Sequence, residues 1–202
     1  MPISSASNNR LTDMKQFGTD PGSLHADTYI PKNFPKNGPL VVVLHGSTQS
    51  AEGYNRGSGW SSLADECGIA LLYPEQRKTN NPLSSFNWFK SGDSRRGDGE
   101  PLSIRQMIEQ VVDDHDIDPS RIFVTGMSSG GAMTSVMLAT YPEVFAGGAI
   151  IAGLPYRSAD NLIEAMVRMK GYGGPSDHRL NKLVREASTF EGPWPTISVW
   201  HG

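Results

Sequence analysis

The apolar residues of this chain gather in short continuous runs: Leu40 to Leu44, Ile69 to Tyr73, Ile122 to Thr125, Gly148 to Ala152 and Ile197 to Trp200. A strand with one wet face alternates apolar and polar positions, so unbroken runs of this length predict strands covered on both faces, as in a mainly parallel sheet. Between them, Ile104, Met107, Ile108, Val111 and Val112 recur at helical spacing, as do Met133, Val136, Met137 and Leu138. These stripes predict helices packed on the sheet. Strand and helix therefore alternate, which predicts an open α/β sheet with right-handed crossovers and a binding site at the carboxyl ends of its strands. Pro74 to Pro101 is polar and aromatic, and Pro155 to Pro195 has helical pieces but weak strand signals; both are expected to shape a cleft. Residues 1–22 are polar, with Asn8-Asn9 and Gly18-Thr19-Asp20-Pro21-Gly22, and read as a loose lead-in to a single domain over 23–202.

Composition narrows the classes of function. A net charge of -3 and a pI near 5.9 give no general attraction to phosphate backbones or anionic lipid, so neither nucleic acid nor a membrane is an expected partner. No apolar run approaches the roughly 20 residues of a spanning helix, and the start, MPISSASNNR, lacks the basic-then-apolar layout of a secretory signal. A cytoplasmic protein is expected. The single cysteine, Cys67, precedes an apolar run and reads as a small buried hydrophobe rather than a reactive thiol. There is no HExxH, no paired CxxC and no GxxxxGK, so no metal or nucleotide cofactor is expected.

The candidate chemistry sits directly after the run RIFVT, where Gly126-Met127-Ser128-Ser129-Gly130 leads into an apolar helix. A serine on a sharp strand-to-helix turn projects its oxygen from the sheet, while the next backbone N–H points to where an oxyanion forms. Such a turn crowds the positions two before and two after the serine, which is why glycines are required there. Ser129 competes as nucleophile, but its own flanks are Met127 and Gly131, which fit the turn less well. The run LVVVL ends in His45-Gly46-Ser47, and the loop after this early strand supplies a second oxyanion N–H in α/β-hydrolases. The expected pair is Ser47 and Ser129. His45 reads as a brace for that loop rather than a base. Trp88, Phe89, Trp60 and Trp194 are candidates to line an acyl or aryl site, with core packing as the alternative for each.

The blocks LVVVLHGSTQS, LLYPEQ, FNWF, IDPSRIFVTGMSSGGAM and GPWPTISVWHG, in this order, resemble those of the poly(3-hydroxybutyrate) depolymerase and feruloyl esterase group of serine esterases. The resemblance runs from about Pro21 to Gly202. It implies an α/β-hydrolase fold, no cofactor, and hydrolysis of polyester, polysaccharide-linked or small carboxylic esters through an acyl-serine intermediate. Carried over by position, Ser128 is the nucleophile and the backbones of Ser47 and Ser129 form the oxyanion hole. Many relatives have cysteine where this chain has Ser47 and Phe86, which argues against an extracellular assignment. Asn87 and Glu100 also recur in the group.

A serine needs a histidine to take its proton and an acid to orient that histidine, in the order Ser, acid, His for this fold. After Ser128 only His178 and His201 remain, and both read as structural: His178 beside Asp177 at a helix start, His201 at the end of the last strand. The resemblance places the acid and the base after the WHG block. The chain is therefore expected to lack the C-terminal strand and helix of the fold and to have little esterase activity alone. The alternative reading is a catalytically incomplete hydrolase that only binds substrate.

Overall fold

The computed structural model describes residues 11–201. Residues 1–10 of the predicted lead-in lie outside them. Among the described residues seven strands form one sheet: β1 (Thr12–Asp13), β2 (His25–Tyr29), β3 (Gly38–Leu44), β4 (Ala70–Glu75), β5 (Ile117–Met127), β6 (Gly147–Ile151) and β7 (Thr196–Trp200). Their order is β1-β2-β4-β3-β5-β6-β7, with β3 to β7 parallel and β1 and β2 antiparallel at one edge. All five predicted runs are strands. The two unpredicted strands are the antiparallel ones, where β2 reads HADTY and offers no continuous apolar run.

The stretch 11–22, read from its polarity as loose, is tied to the domain. Thr12 pairs with Thr28, Phe17 joins the core, and the Gly22 N–H donates to Ser103 Oγ at 2.8 Å. Polarity alone did not reveal these attachments because most of them are made by the backbone.

Among the described residues six α-helices cover the faces: α1 (Ala51–Ser58), α2 (Trp60–Cys67), α3 (Gly99–His115), α4 (Ser129–Thr140), α5 (Leu162–Met169) and α6 (Asp177–Arg185). Ser50, Asp98, Asn161 and Ser176 cap α1, α3, α5 and α6 with side-chain oxygens, so each start is written locally. The predicted apolar stripes are α3 and α4. Alternate residues of β3 divide the core: Leu40, Val42 and Leu44 face α3 and α4, while Val41 and Val43 face α1 and α2. Cys67 is exposed, which corrects the buried reading. It is the last residue of α2, Gly68 closes that helix in the left-handed region, and the strand begins only at Ala70. No described helix is long and apolar enough to cross a membrane.

From β3 the chain winds outward to β4 on one side, then returns to lay β5, β6 and β7 on the other. Winding direction reverses between β3 and β5, the point where open parallel sheets form a crevice at the strands' carboxyl ends. Leu44 pairs with Gly126 there, so the segments after β3 and β5 emerge side by side.

Candidate active site

Ser128 stands between β5 and α4 with φ 56° and ψ -115°, a conformation that side-chain-bearing residues rarely adopt. Holding it costs on the order of 1–3 kcal/mol, which the surroundings must offset. The Ser128 N–H donates to Ile151 O at 2.9 Å, and its carbonyl accepts from Ala132 N at 2.9 Å. The flanking glycines are required sterically. A Cβ on Gly126 would meet the Gly130 carbonyl and lie 2.9 Å from Leu44 Cβ, and one on Gly130 would collide with the carbonyl oxygen of Leu44. The turn thus packs directly against the end of β3.

Ser47, Ser128 and Ser129 border one cavity of about 450 Å³. Ser129 is the first residue of α4, where N–H groups have no partner within the helix and the dipole end is positive. Among the described residues, neither the Ser47 N–H nor the Ser129 N–H donates to a protein acceptor. Ser47 and Ser129, each with a backbone N–H that has no protein acceptor, thus line the same cavity as Ser128.

His45 is buried and held at both nitrogens. The Gln76 N–H donates to Nε2 at 3.1 Å, so Nε2 carries the lone pair, and Nδ1–H donates to Gly46 O at 2.8 Å. That fixes the neutral tautomer, and burial lowers its pKa further. With both nitrogens engaged in holding backbone, His45 braces the loop and is not placed to take a proton from Ser128. His201 Nε2 lies 2.9 Å from Gly153 O, and His178 is exposed in the first turn of α6, whose cap is Ser176. No described histidine borders the cavity.

The cavity wall is largely apolar, built by Leu83, Trp88, Phe89, Leu154, Leu162 and Met166 among others. Trp88 and Phe89 line the cavity and also belong to the buried core, so both readings of them stay open. Trp60 instead packs on the core at the α1–α2 face, and Trp194 packs edge-on to Phe190 at 6.5 Å between ring centroids. The contribution of α5 was missed, although its signal is present: Leu162, Ala165, Met166 and Met169 fall on one helical face and all line the cavity.

Glu100 is buried under this wall, with 1% of its surface exposed. It accepts from Asn87 N at 2.9 Å, from Asn87 Nδ2 at 2.8 Å and from Gln76 Nε2. Burial, reinforced by nearby Asp93, pushes its carboxyl up to about 8 against the opposing pull of these donors. Asp13, His25 and Asp27 gather at the far edge of the sheet with His–Asp separations of 3.7 and 3.5 Å.

Residues 26–187 match the family described as Esterase PHB depolymerase. The chain is 46% identical over 203 residues to poly(3-hydroxyalkanoate) depolymerase C of Paucimonas lemoignei, covering 100% of this chain and 49% of that protein. It is 31% identical to acetylxylan esterase A of Emericella nidulans, covering 96% of this chain and 65% of that one. Among solved structures, an acetyl xylan esterase from Aspergillus awamori superposes with a TM-score of 0.88 at 25% identity, over 95% of this chain and 72% of its own. The chain thus spans between about half and two thirds of the length of these two curated relatives. With its mainly parallel sheet flanked by helices, an α/β-hydrolase fold, the chain belongs to the Esterase PHB depolymerase family of ester hydrolases.

Proposed function

We propose that the protein hydrolyses carboxylic esters through an acyl-serine intermediate on Ser128. The observation that carries this reading is the placement of Ser128, in a strained turn at the head of α4, on a cavity it shares with Ser47 and Ser129. Ser128 Oγ attacks the ester carbonyl carbon while a histidine base from outside the described residues takes its proton, and the carbonyl oxygen becomes a tetrahedral oxyanion. The N–H groups of Ser47 and Ser129 donate to that oxyanion, each worth about 3 kcal/mol of barrier. Collapse expels the alcohol, and water then releases the acid from Ser128.

The wall made by Trp88, Phe89 and the α5 residues favours an apolar acyl or hydroxyacyl group, since each methylene taken from water contributes about 0.8 kcal/mol. Aliphatic polyester of the hydroxyalkanoate kind fits this wall better than a sugar acetate, in keeping with the 46% identity to a depolymerase. The test is hydrolysis of p-nitrophenyl butyrate and of 3-hydroxybutyrate oligomers, with fluorophosphonate labelling of the serine. Where the acid and base of the triad are present, Ser128→Ala is expected to abolish labelling and to lower kcat by about 10⁴-fold or more. Equal activity in Ser128→Ala sinks the nucleophile assignment, and faster cleavage of acetylated xylan than of the oligomers sinks the substrate class.

A further inference from the structure

We propose that Glu100 is a positioning residue for the oxyanion loop: two chains of hydrogen bonds run from its carboxyl group to the two residues that flank Ser47. The inference rests on the reading of Ser47 as an oxyanion donor. The first chain passes through Gln76, whose Nε2 donates to Glu100 and whose backbone N–H donates to His45 Nε2 at 3.1 Å. His45 Nδ1–H then holds Gly46 O at 2.8 Å, on one side of Ser47. The second passes through Asn87, whose Nδ2 donates to Glu100 at 2.8 Å and whose Oδ1 accepts from Asn81 Nδ2 at 3.0 Å. Asn81 Oδ1 accepts the Leu83 N–H at 3.0 Å, and Leu83 O accepts the Thr48 N–H at 2.6 Å, on the other side of Ser47.

The direction of every link is fixed by backbone groups that can act in only one way. Because the Leu83 N–H is a donor, Asn81 must meet it with oxygen and turn its NH₂ to Asn87, which in turn must point its own NH₂ at Glu100. Gln76 is likewise oriented, since its Oε1 accepts from Arg77 N at 3.0 Å and Asn80 Nδ2 at 3.1 Å. Both chains therefore end in donors on Oε1, while the Asn87 N–H closes on Oε2 at 2.9 Å, so the group at position 100 must present an acceptor on both sides. A carboxyl group does so, whereas a carboxamide would turn its NH₂ toward the Asn87 N–H. Glu100 touches none of the reacting atoms; it acts through Gly46 and Thr48 by fixing where the Ser47 N–H points. A donor moved by about 1 Å can cost 10²-fold in rate.

The test measures kcat and KM for p-nitrophenyl butyrate per mole of serine labelled to completion by fluorophosphonate, with the ¹⁵N shifts of His45 as an independent reporter. Glu100→Gln is expected to lower kcat about tenfold and Glu100→Ala about a hundredfold, each with a smaller change in KM. The His45 Nε2 resonance should shift as the Gln76 N–H loosens. If these variants fail to fold, Asn81→Ala at the half-buried end of the second chain is expected to lower kcat about threefold. Unchanged kcat per labelled serine and an unmoved His45 spectrum, with only a lowered melting temperature, overturn the inference. Full activity in Ser128→Ala overturns the underlying reading instead, so the two failures are distinguishable.

Discussion

Every residue of α4 (Ser129–Thr140) is buried and every residue of β7 (Thr196–Trp200) is exposed, although both are short and mostly apolar. The difference lies in what the topology sets around them. α4 starts at the elbow and lies over β5 and β6, with α3 and α6 as neighbours, so it has no face left for solvent. Among the described residues β7 pairs with β6 on one side alone, and Ile197, Val199 and Trp200 stand 49%, 61% and 64% exposed. An apolar run specifies an element; the elements around it decide its burial. The same contrast separates the centre of the molecule, with Ser128, Ser47 and Glu100, from the flank formed by α5, α6 and β7.

The strongest test of this contrast is Gly130→Ala. In an exposed helix, alanine in place of glycine is stabilising, because the unfolded chain loses freedom. At Gly130 the added Cβ would meet the carbonyl oxygen of Leu44, so the sign reverses. A loss of about 3 kcal/mol or more is expected by denaturant unfolding. A neutral result would mean that the turn and β3 are not in the tight contact on which the centre depends.

A second effect comes from the titration of Glu100. Its folded pKa, up to about 8, lies above the ordinary carboxyl value of 4.5, so between these values the folded state holds a proton that the unfolded state has released. Its contribution to stability is thus full below pH 4.5 and is lost as pH rises toward 8. Unfolding measured from pH 5 to 8.5 should show this decline, and Glu100→Gln should flatten it. Among the described residues the flank has no buried carboxylate to match. An identical slope in both proteins would show that another group carries the pH dependence.

These two tests bear on features that differ in how openly the sequence displayed them. The elbow was legible because a fixed backbone turn demands glycine at Gly126 and Gly130 and places a helix directly after them. The parallel strands β3 and β4 were legible because burial on both faces favours an unbroken apolar run, whereas β7 carries such a run with every residue exposed, so the expectation of cover on both faces fails there. Three things were hidden. β1 and β2 are paired at the sheet edge and carry no apolar signature. α5 presents its apolar face to the cavity, and its helical spacing was visible, but nothing in the chain says which surface that face covers. The roles of Glu100, Asn87 and Gln76 depend on contacts between residues far apart in sequence, and polar side chains of this kind are equally common on surfaces. A buried carboxylate is recognised by its partners, and partners become visible only in three dimensions.

The smallest effect gives the most direct comparison, because one substitution can be made on both sides of the contrast. Val136 in α4 is 1% exposed, and Val199 in β7 is 61% exposed. Truncating valine to alanine removes two methyl groups' worth of apolar surface. In the core this forfeits their transfer energy and leaves a void that the neighbours of α4, packed on every side, cannot close, for a loss of about 2 kcal/mol. On the surface most of that area already faces water, so Val199→Ala should change stability by less than about 0.5 kcal/mol. Strand propensity works in the same direction at Val199 but within the same small range. Both variants are measured by urea unfolding of the protein, with the m-value confirming that the unfolded states match. A loss near 2 kcal/mol at Val199 would show that something covers the outer face of β7, and the contrast with α4 would then be one of which segment does the covering rather than whether the strand is covered.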